Sequence, residues 1–240
     1  MILKQIEVKS RLIDDYTNCY IMQDEETKEV ICIDPGGSIE KIIEMLKILN
    51  AKLKYIYLTH SHMDHIEKAE KLKNTYGGEI LISRKGAENI NNPEINLFNM
   101  INFEANNIIN IDNLSHEDNE QNKEDNLPKQ LYTSVDSRVD DKDILHIGKI
   151  ELEVILAPGH TNDGTSLYCK EEEIVFTGDT LMYMGYGRTD FPTGNLRELK
   201  KSLKKLFALP ENTFVYPGHG IATTIGDEKG ENYDTKNKRY

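Results

Sequence analysis

The sequence predicts an α/β fold in which two β-sheets lie face to face between outer helices. Three observations carry this expectation. Short strand-like stretches fill residues 2–34, helical and strand-like patterns alternate through 38–90, and a second run of strands with one amphipathic helix occupies 144–216. A hydrophobic fraction of 38% in 240 residues is enough to bury such layers. That length is at the upper end of what one core serves, so a single domain over 1–240 carrying one insertion is expected.

In chain order, strands are expected over 2–8, 18–23 and 29–34, closed by Pro35-Gly36-Gly37 and paired antiparallel because only turns separate them. Ser38 is placed to cap a helix in which Ile39, Ile42, Ile43, Leu46 and Leu49 recur at helical spacing. Residues 53–58 are apolar or aromatic except for Lys54 and read as a strand buried on both faces, ending at Thr59. A helix over 67–76, a strand over 79–83 and a short helix over 84–90 follow. Further strands are expected at 144–147, 149–157, 165–170 and 173–177. Asn195 then caps a helix with Leu196, Leu199, Leu203, Leu206 and Phe207 on one face, and 214–216 forms a last strand.

The charge narrows the partners. Lys and Arg number 29 against 41 Asp and Glu, a formal charge of −12, which disfavours nucleic acid because that affinity comes largely from cationic side chains. Residues 112–126 contribute −5 of this total with almost nothing apolar, and read as an exposed, mobile insertion. The first ten residues lack a signal-peptide pattern and no apolar stretch approaches spanning length, so a cytoplasmic chain without a membrane partner is expected. Cys19, Cys32 and Cys169 are odd in number, widely spaced and set in apolar stretches, as reduced buried thiols would be.

Residues 59–65, Thr-His-Ser-His-Met-Asp-His, place three of the seven histidines and one Asp within six positions, directly after a buried strand. His60 and His62, two apart, project to the same side of an extended or tightly turned loop and can chelate one ion. Asp64 and His65 lie on the next part of the turn and point to a neighbouring position, so the loop suits two metals. More ligands must come from elsewhere. His160, Asp179 and His219 each sit just past an expected strand end, beside Gly159, Gly178 and Gly218. A carboxylate such as Asp179 can bridge two ions about 3.5–4 Å apart, with a shared hydroxide as nucleophile. His116 and His146 lack such context. Asp34 reads either as another ligand or as a carboxylate that hydrogen-bonds the histidine loop.

These motifs, taken with Asn18-Cys19-Tyr20, Ile33-Asp34-Pro35-Gly36 and Gly187-Arg188-Thr189-Asp190-Phe191-Pro192 in the same order, resemble the metallo-β-lactamase superfamily. Within it the resemblance is to short, single-domain, glyoxalase II-like (hydroxyacylglutathione hydrolase-like) hydrolases. It implies a four-layer αββα sandwich of two mixed β-sheets with the site at one edge. It also implies His60, His62 and His160 on a first metal, Asp64, His65 and His219 on a second, and Asp179 bridging. Asp64 would orient the attacking water, and Arg188 would contact an anionic small-molecule substrate. The implied cofactors are two divalent ions, zinc foremost with iron or manganese as alternatives, and the implied reaction is cleavage of a small thioester or ester. An alternative resemblance is to the persulfide dioxygenases, oxidoreductases that use a single iron. Ile66-Glu67 and Asn162-Asp163 depart from the glycine-rich pairs usual at those points.

Overall fold

The computed structural model describes residues 1–9, 16–100 and 132–233. The acidic 112–126 segment and its His116 lie outside them. Twelve strands are found among the described residues, in two six-stranded sheets. The first holds β1 (Ile2–Lys9), β2 (Tyr16–Gln23), β3 (Glu29–Ile33), β4 (Lys52–Tyr57), β5 (Glu79–Ser83) and β6 (Ser137–Val139), neighbours in that order. The second holds β7 (Ile144–Ile147), β8 (Ile150–Leu156), β9 (Thr165–Cys169), β10 (Ile174–Gly178), β11 (Phe214–Pro217) and β12 (Thr223–Thr224).

Pairing follows the connections. β1, β2 and β3 are joined by short links and pair antiparallel, whereas β3 to β6 run parallel. Parallel neighbours need a crossover, and helices supply it. α1 (Ile39–Ile48) links β3 to β4, while α2 (Met63–Ile66) and α3 (Ala69–Tyr76) link β4 to β5. α4 (Arg84–Asn89) follows β5. In the second sheet, α5 (Leu196–Leu206) lies between the parallel strands β10 and β11, and α6 (Ile225–Tyr233) follows β12.

Three apolar layers result. Side chains alternate along β2, so Cys19 and Ile21 pack with Ile42 and Leu46 of α1 and Leu72 of α3, while Tyr20 and Met22 face the other way. Tyr20 and Met22 meet Leu152, Leu167 and Phe176 of the second sheet, forming the layer between the sheets. On the far side, Val175 and Val215 pack with Leu199, Leu203 and Leu206 of α5. Each sheet thus buries both faces, as the αββα expectation requires. Cys19, Cys32 and Cys169 are free and buried. Among the described residues no helix is long and apolar enough to cross a membrane.

Several local expectations need correction. Ser38 does not cap α1: its backbone is left-handed (φ 42°), and its hydroxyl accepts from the Lys9 N–H at 3.2 Å instead. β4 is not buried on both faces along its whole length, because Lys52 is exposed and Lys54 reaches out to Glu29 at 3.0 Å. Leu196 is 44% exposed and stands outside the buried layer that Leu199, Leu203, Leu206 and Phe207 join, although Asn195 caps this helix as expected and accepts from the Arg197 and Glu198 N–H groups. β6 and β12, of three and two residues, are too short to leave a periodic signal.

Replacing Leu206, fully buried at the end of α5, with Ala is expected to cost about 2–5 kcal/mol of folding stability. Leu196→Ala on the same helix should stay within about 0.5 kcal/mol. Urea midpoints of the two variants check this, and equal losses would contradict the packing described.

Candidate metal centre

The site grows from the ends of four strands. β4 stops at Tyr57, and the chain then passes through His60 and His62 before turning into α2, which begins at Met63 and carries Asp64 and His65. Asp34, just after β3, holds both ends of this loop. Its carboxylate accepts from the Thr59 N–H at 2.8 Å and the Thr59 hydroxyl at 2.7 Å, and from His65 Nδ1 at 2.9 Å. With Nδ1 engaged by Asp34, His65 turns Nε2 inward, 3.4 Å from Asp64 Oδ2 and 3.5 Å from Asp179 Oδ1. Asp34 therefore supports the loop and belongs to none of the ligand groups below.

The other ligands arrive on glycine turns. Gly159 (φ 145°) lets the chain pass so close to α5 that a Cβ there would lie 2.2 Å from Leu199 Cα. The Asn195 N–H donates to Gly159 O at 2.7 Å and the Ser202 hydroxyl to Pro158 O at 2.6 Å, fixing the turn to the helix. His160 then donates from Nδ1 to Arg188 O at 2.7 Å, and its Nε2 lies 3.0 Å from His62 Nδ1 and 3.5 Å from Asp179 Oδ2. Past β11, a Cβ on Gly218 would sit 2.2 Å from Asp179 Oδ1. His219 follows, donating from Nδ1 to Tyr16 O at 2.9 Å and placing Nε2 3.2 Å from Asp64 Oδ2 and 3.5 Å from Asp179 Oδ2.

All seven residues expected to bind metal thus converge. Their potential ligand atoms form three groups, each mutually within 4.8 Å: His60, His62 and His160; His60, His65 and Asp179; Asp64, His65 and His219. Buried His60 Nε2, His65 Nε2 and Asp179 Oδ1 have no hydrogen-bond partner. Each orphan costs about 1–3 kcal/mol when left so, and a cation among them would satisfy all three. The nitrogen and carboxylate donors suit zinc or a similar first-row ion.

The electrostatics agree. Burial pushes His60 well below its ordinary pKa, and burial together with nearby His160 takes His62 down to about 3, so both are neutral imidazoles able to coordinate. Burial also pulls on His65, but Asp64, Asp179 and Asp34 outweigh it and hold its pKa up at about 9. Likewise burial opposes, and Asp179 and Asp64 overcome, at His219, raised to about 10. Asp64, despite burial, is held low by His65 and His219.

Arg188 lies at the rim, largely exposed. Its guanidinium grips Asp190 through two bonds of 2.7 and 2.6 Å and stacks 4.0 Å above the Phe191 ring, which in turn meets His62 at 5.9 Å. His146 is exposed on β7, its nearest carboxylate being that of Glu151 at 3.8 Å. Sequence reasoning missed Thr17, whose hydroxyl donates to Asp64 Oδ2 at 3.1 Å, and the carbonyls of Tyr16 and Arg188 that orient His219 and His160. A carbonyl belongs to every residue and leaves no mark in a sequence.

The chain is similar to known proteins along nearly its whole length. A hydroxyacylglutathione hydrolase, GloC, from Haemophilus influenzae is 34% identical over 218 residues, covering 90% of this chain and 91% of that protein. Among solved structures, the BLEG-1 B3 metallo-beta-lactamase superposes with a TM-score of 0.78 at 28% identity, over 98% of this chain and 100% of that one. ETHE1 from Myxococcus xanthus superposes with a TM-score of 0.72, also at 28% identity, over 97% and 83%. The family model described as the metallo-beta-lactamase superfamily matches residues 12–219, which include all seven clustered side chains, and the chain belongs to that superfamily.

Proposed function

We propose that this chain is a hydrolase that cleaves a small thioester or ester at a centre of two divalent metal ions. His60, His62 and His160 would hold the first ion, Asp64, His65 and His219 the second, with Asp179 between them. The observation that carries this is the position of Asp179, whose Oδ2 lies 3.5 Å from both His160 Nε2 and His219 Nε2 while Oδ1 lies 3.5 Å from His65 Nε2. One carboxylate thus faces nitrogens of both groups, as a bridging ligand must.

When bound, two such ions supply Lewis acidity toward a carbonyl and acidify water toward neutral pH. The side chains do the rest. Asp64 offers a carboxylate beside the second group, aimed by Thr17, from which it can orient an incoming water. Arg188, kept over Phe191 by Asp190, presents a fixed cation at the rim to an anionic part of the substrate. Likeness to a hydroxyacylglutathione hydrolase over nearly the whole chain supports a thioester, and the donor set supports zinc. The second reading, an oxidoreductase with a single iron, draws on the likeness to ETHE1.

Elemental analysis of protein purified without added metal, with a thioester assay on the same sample, separates the two readings. Two ions per chain and chelator-sensitive hydrolysis are expected, and Asp179→Asn should lower both the ion count and turnover, the latter by about 100-fold or more. One iron per chain, with oxygen consumed on a persulfide, would establish the alternative.

Loading should also release protons. In the metal-free chain His65 and His219 titrate at about 9 and about 10, so both carry a proton at pH 7 that coordination must displace. Adding zinc to metal-free protein in weak buffer at pH 7 should acidify it, and apparent affinity should climb as pH rises toward 9. Loading without proton release would contradict this arrangement. For Arg188→Ala, KM for an anionic thioester should rise by about 10-fold, or about 1.4 kcal/mol, with little change for a neutral ester. Equal effects on both substrates would remove Arg188 from the substrate's path.

A further inference from the structure

His219 differs from the other six clustered residues. Its side chain is 21% exposed, whereas those of His60, His62, Asp64, His65, His160 and Asp179 are at most 9% exposed. It stands on a turn, residues 217–220, that leaves the end of β11 and becomes exposed at Gly220. A ligand must be held to within about 0.5 Å to coordinate well, so something has to fix this turn.

The first half of β2 does so. The Asn18 N–H donates to Gly218 O at 2.7 Å, and the Asn18 side-chain amide donates to Pro217 O at 3.0 Å and Gly220 O at 2.8 Å. Gln5 of β1 donates to Asn18 Oδ1 at 2.8 Å, which leaves the amide nitrogen facing the turn. The Tyr20 hydroxyl donates to Pro217 O at 2.6 Å, Tyr16 O accepts from His219 Nδ1 at 2.9 Å, and Thr17 aims Asp64. Thr17, Asn18 and Tyr20 are each at most 2% exposed, and β2 is paired to β1 along its whole length and to β3 from Tyr20 onward, so these donors stand on a rigid base.

None of these bonds reaches His60, His62 or His160. That group is steadied from elsewhere, with Thr59 Oγ1 3.1 Å from His60 Nδ1 and Arg188 O on His160. We infer that the first half of β2, and Asn18 above all, is a positioning element for the second ion alone, and so sets whether the centre holds one ion or two. This rests on the two-ion reading above. Asn18 touches no reacting atom and acts through the backbone of the His219 turn.

The test compares wild type with Asn18→Asp, which keeps the side chain's shape and the acceptor for Gln5 but removes both side-chain donations to the turn. Thr17→Val, which keeps volume and removes the donor to Asp64, serves as a second variant should the first fail to fold. Metal-free proteins are titrated with zinc against a chromophoric chelator, which yields two stepwise affinities, and His219→Ala marks the outcome when the second group is broken outright. In each β2 variant that folds, the second affinity should weaken by about 10–100-fold, with the first within about threefold of wild type. Variants that lose both affinities alike, or neither, while wild type binds two ions would overturn the inference and leave the two-ion reading standing. A wild type that binds one ion would overturn both.

Discussion

Seven polar side chains, five of them imidazoles and two of them carboxylates beyond the aspartate that supports them, are not gathered without cost into space that water barely reaches. Asp34 is central to how this chain manages it. One carboxylate accepts from the backbone and hydroxyl of Thr59 at one end of the histidine loop and from His65 at the other, so the loop enters α2 with its imidazoles already turned inward. The left-handed backbone at Asp34 itself (φ 52°) brings that carboxylate under the loop. Once the loop is set, the remaining ligands need only come off the ends of β8, β10 and β11, which the second sheet already holds opposite.

Charge completes the argument. His60 and His62 are neutral when no ion is present, whereas the group around Asp64, His65 and His219 pairs carboxylates with protonated imidazoles. His60 and His62 therefore wait with bare nitrogens, and His65 and His219 with protons standing where a cation would go. Both arrangements are ways of keeping buried charge balanced.

Much of this was legible in the residues. The His60 to His65 spacing and the glycines before His160 and His219 pointed to a metal cluster because those residue types have few other reasons to sit together past strand ends. The layer order was legible too, since alternation along the strands and the apolar face of α5 each specify a buried side. What escaped was carried by backbone or by very short elements. The carbonyls of Tyr16 and Arg188 orient two imidazoles but could have been those of any residues, and β12 pairs through two residues. Ser38 misled because a serine before a helical run is a cap only if its backbone is extended, and here it is left-handed. Leu196 misled because helical spacing says which face is apolar, not how much of that face is covered.

The way α5 meets the Gly159 turn has a wider meaning. Leu199 presses its backbone against that glycine while Asn195 and Ser202 bind the turn's backbone on either side, and the same helix seals the outer apolar layer through Leu203 and Leu206. Oil-filled interior and chelating edge are therefore braced by a single rod. Evolution cannot retune one without nudging the other, so drift in the size of those leucines would be felt as a shifted His160 imidazole.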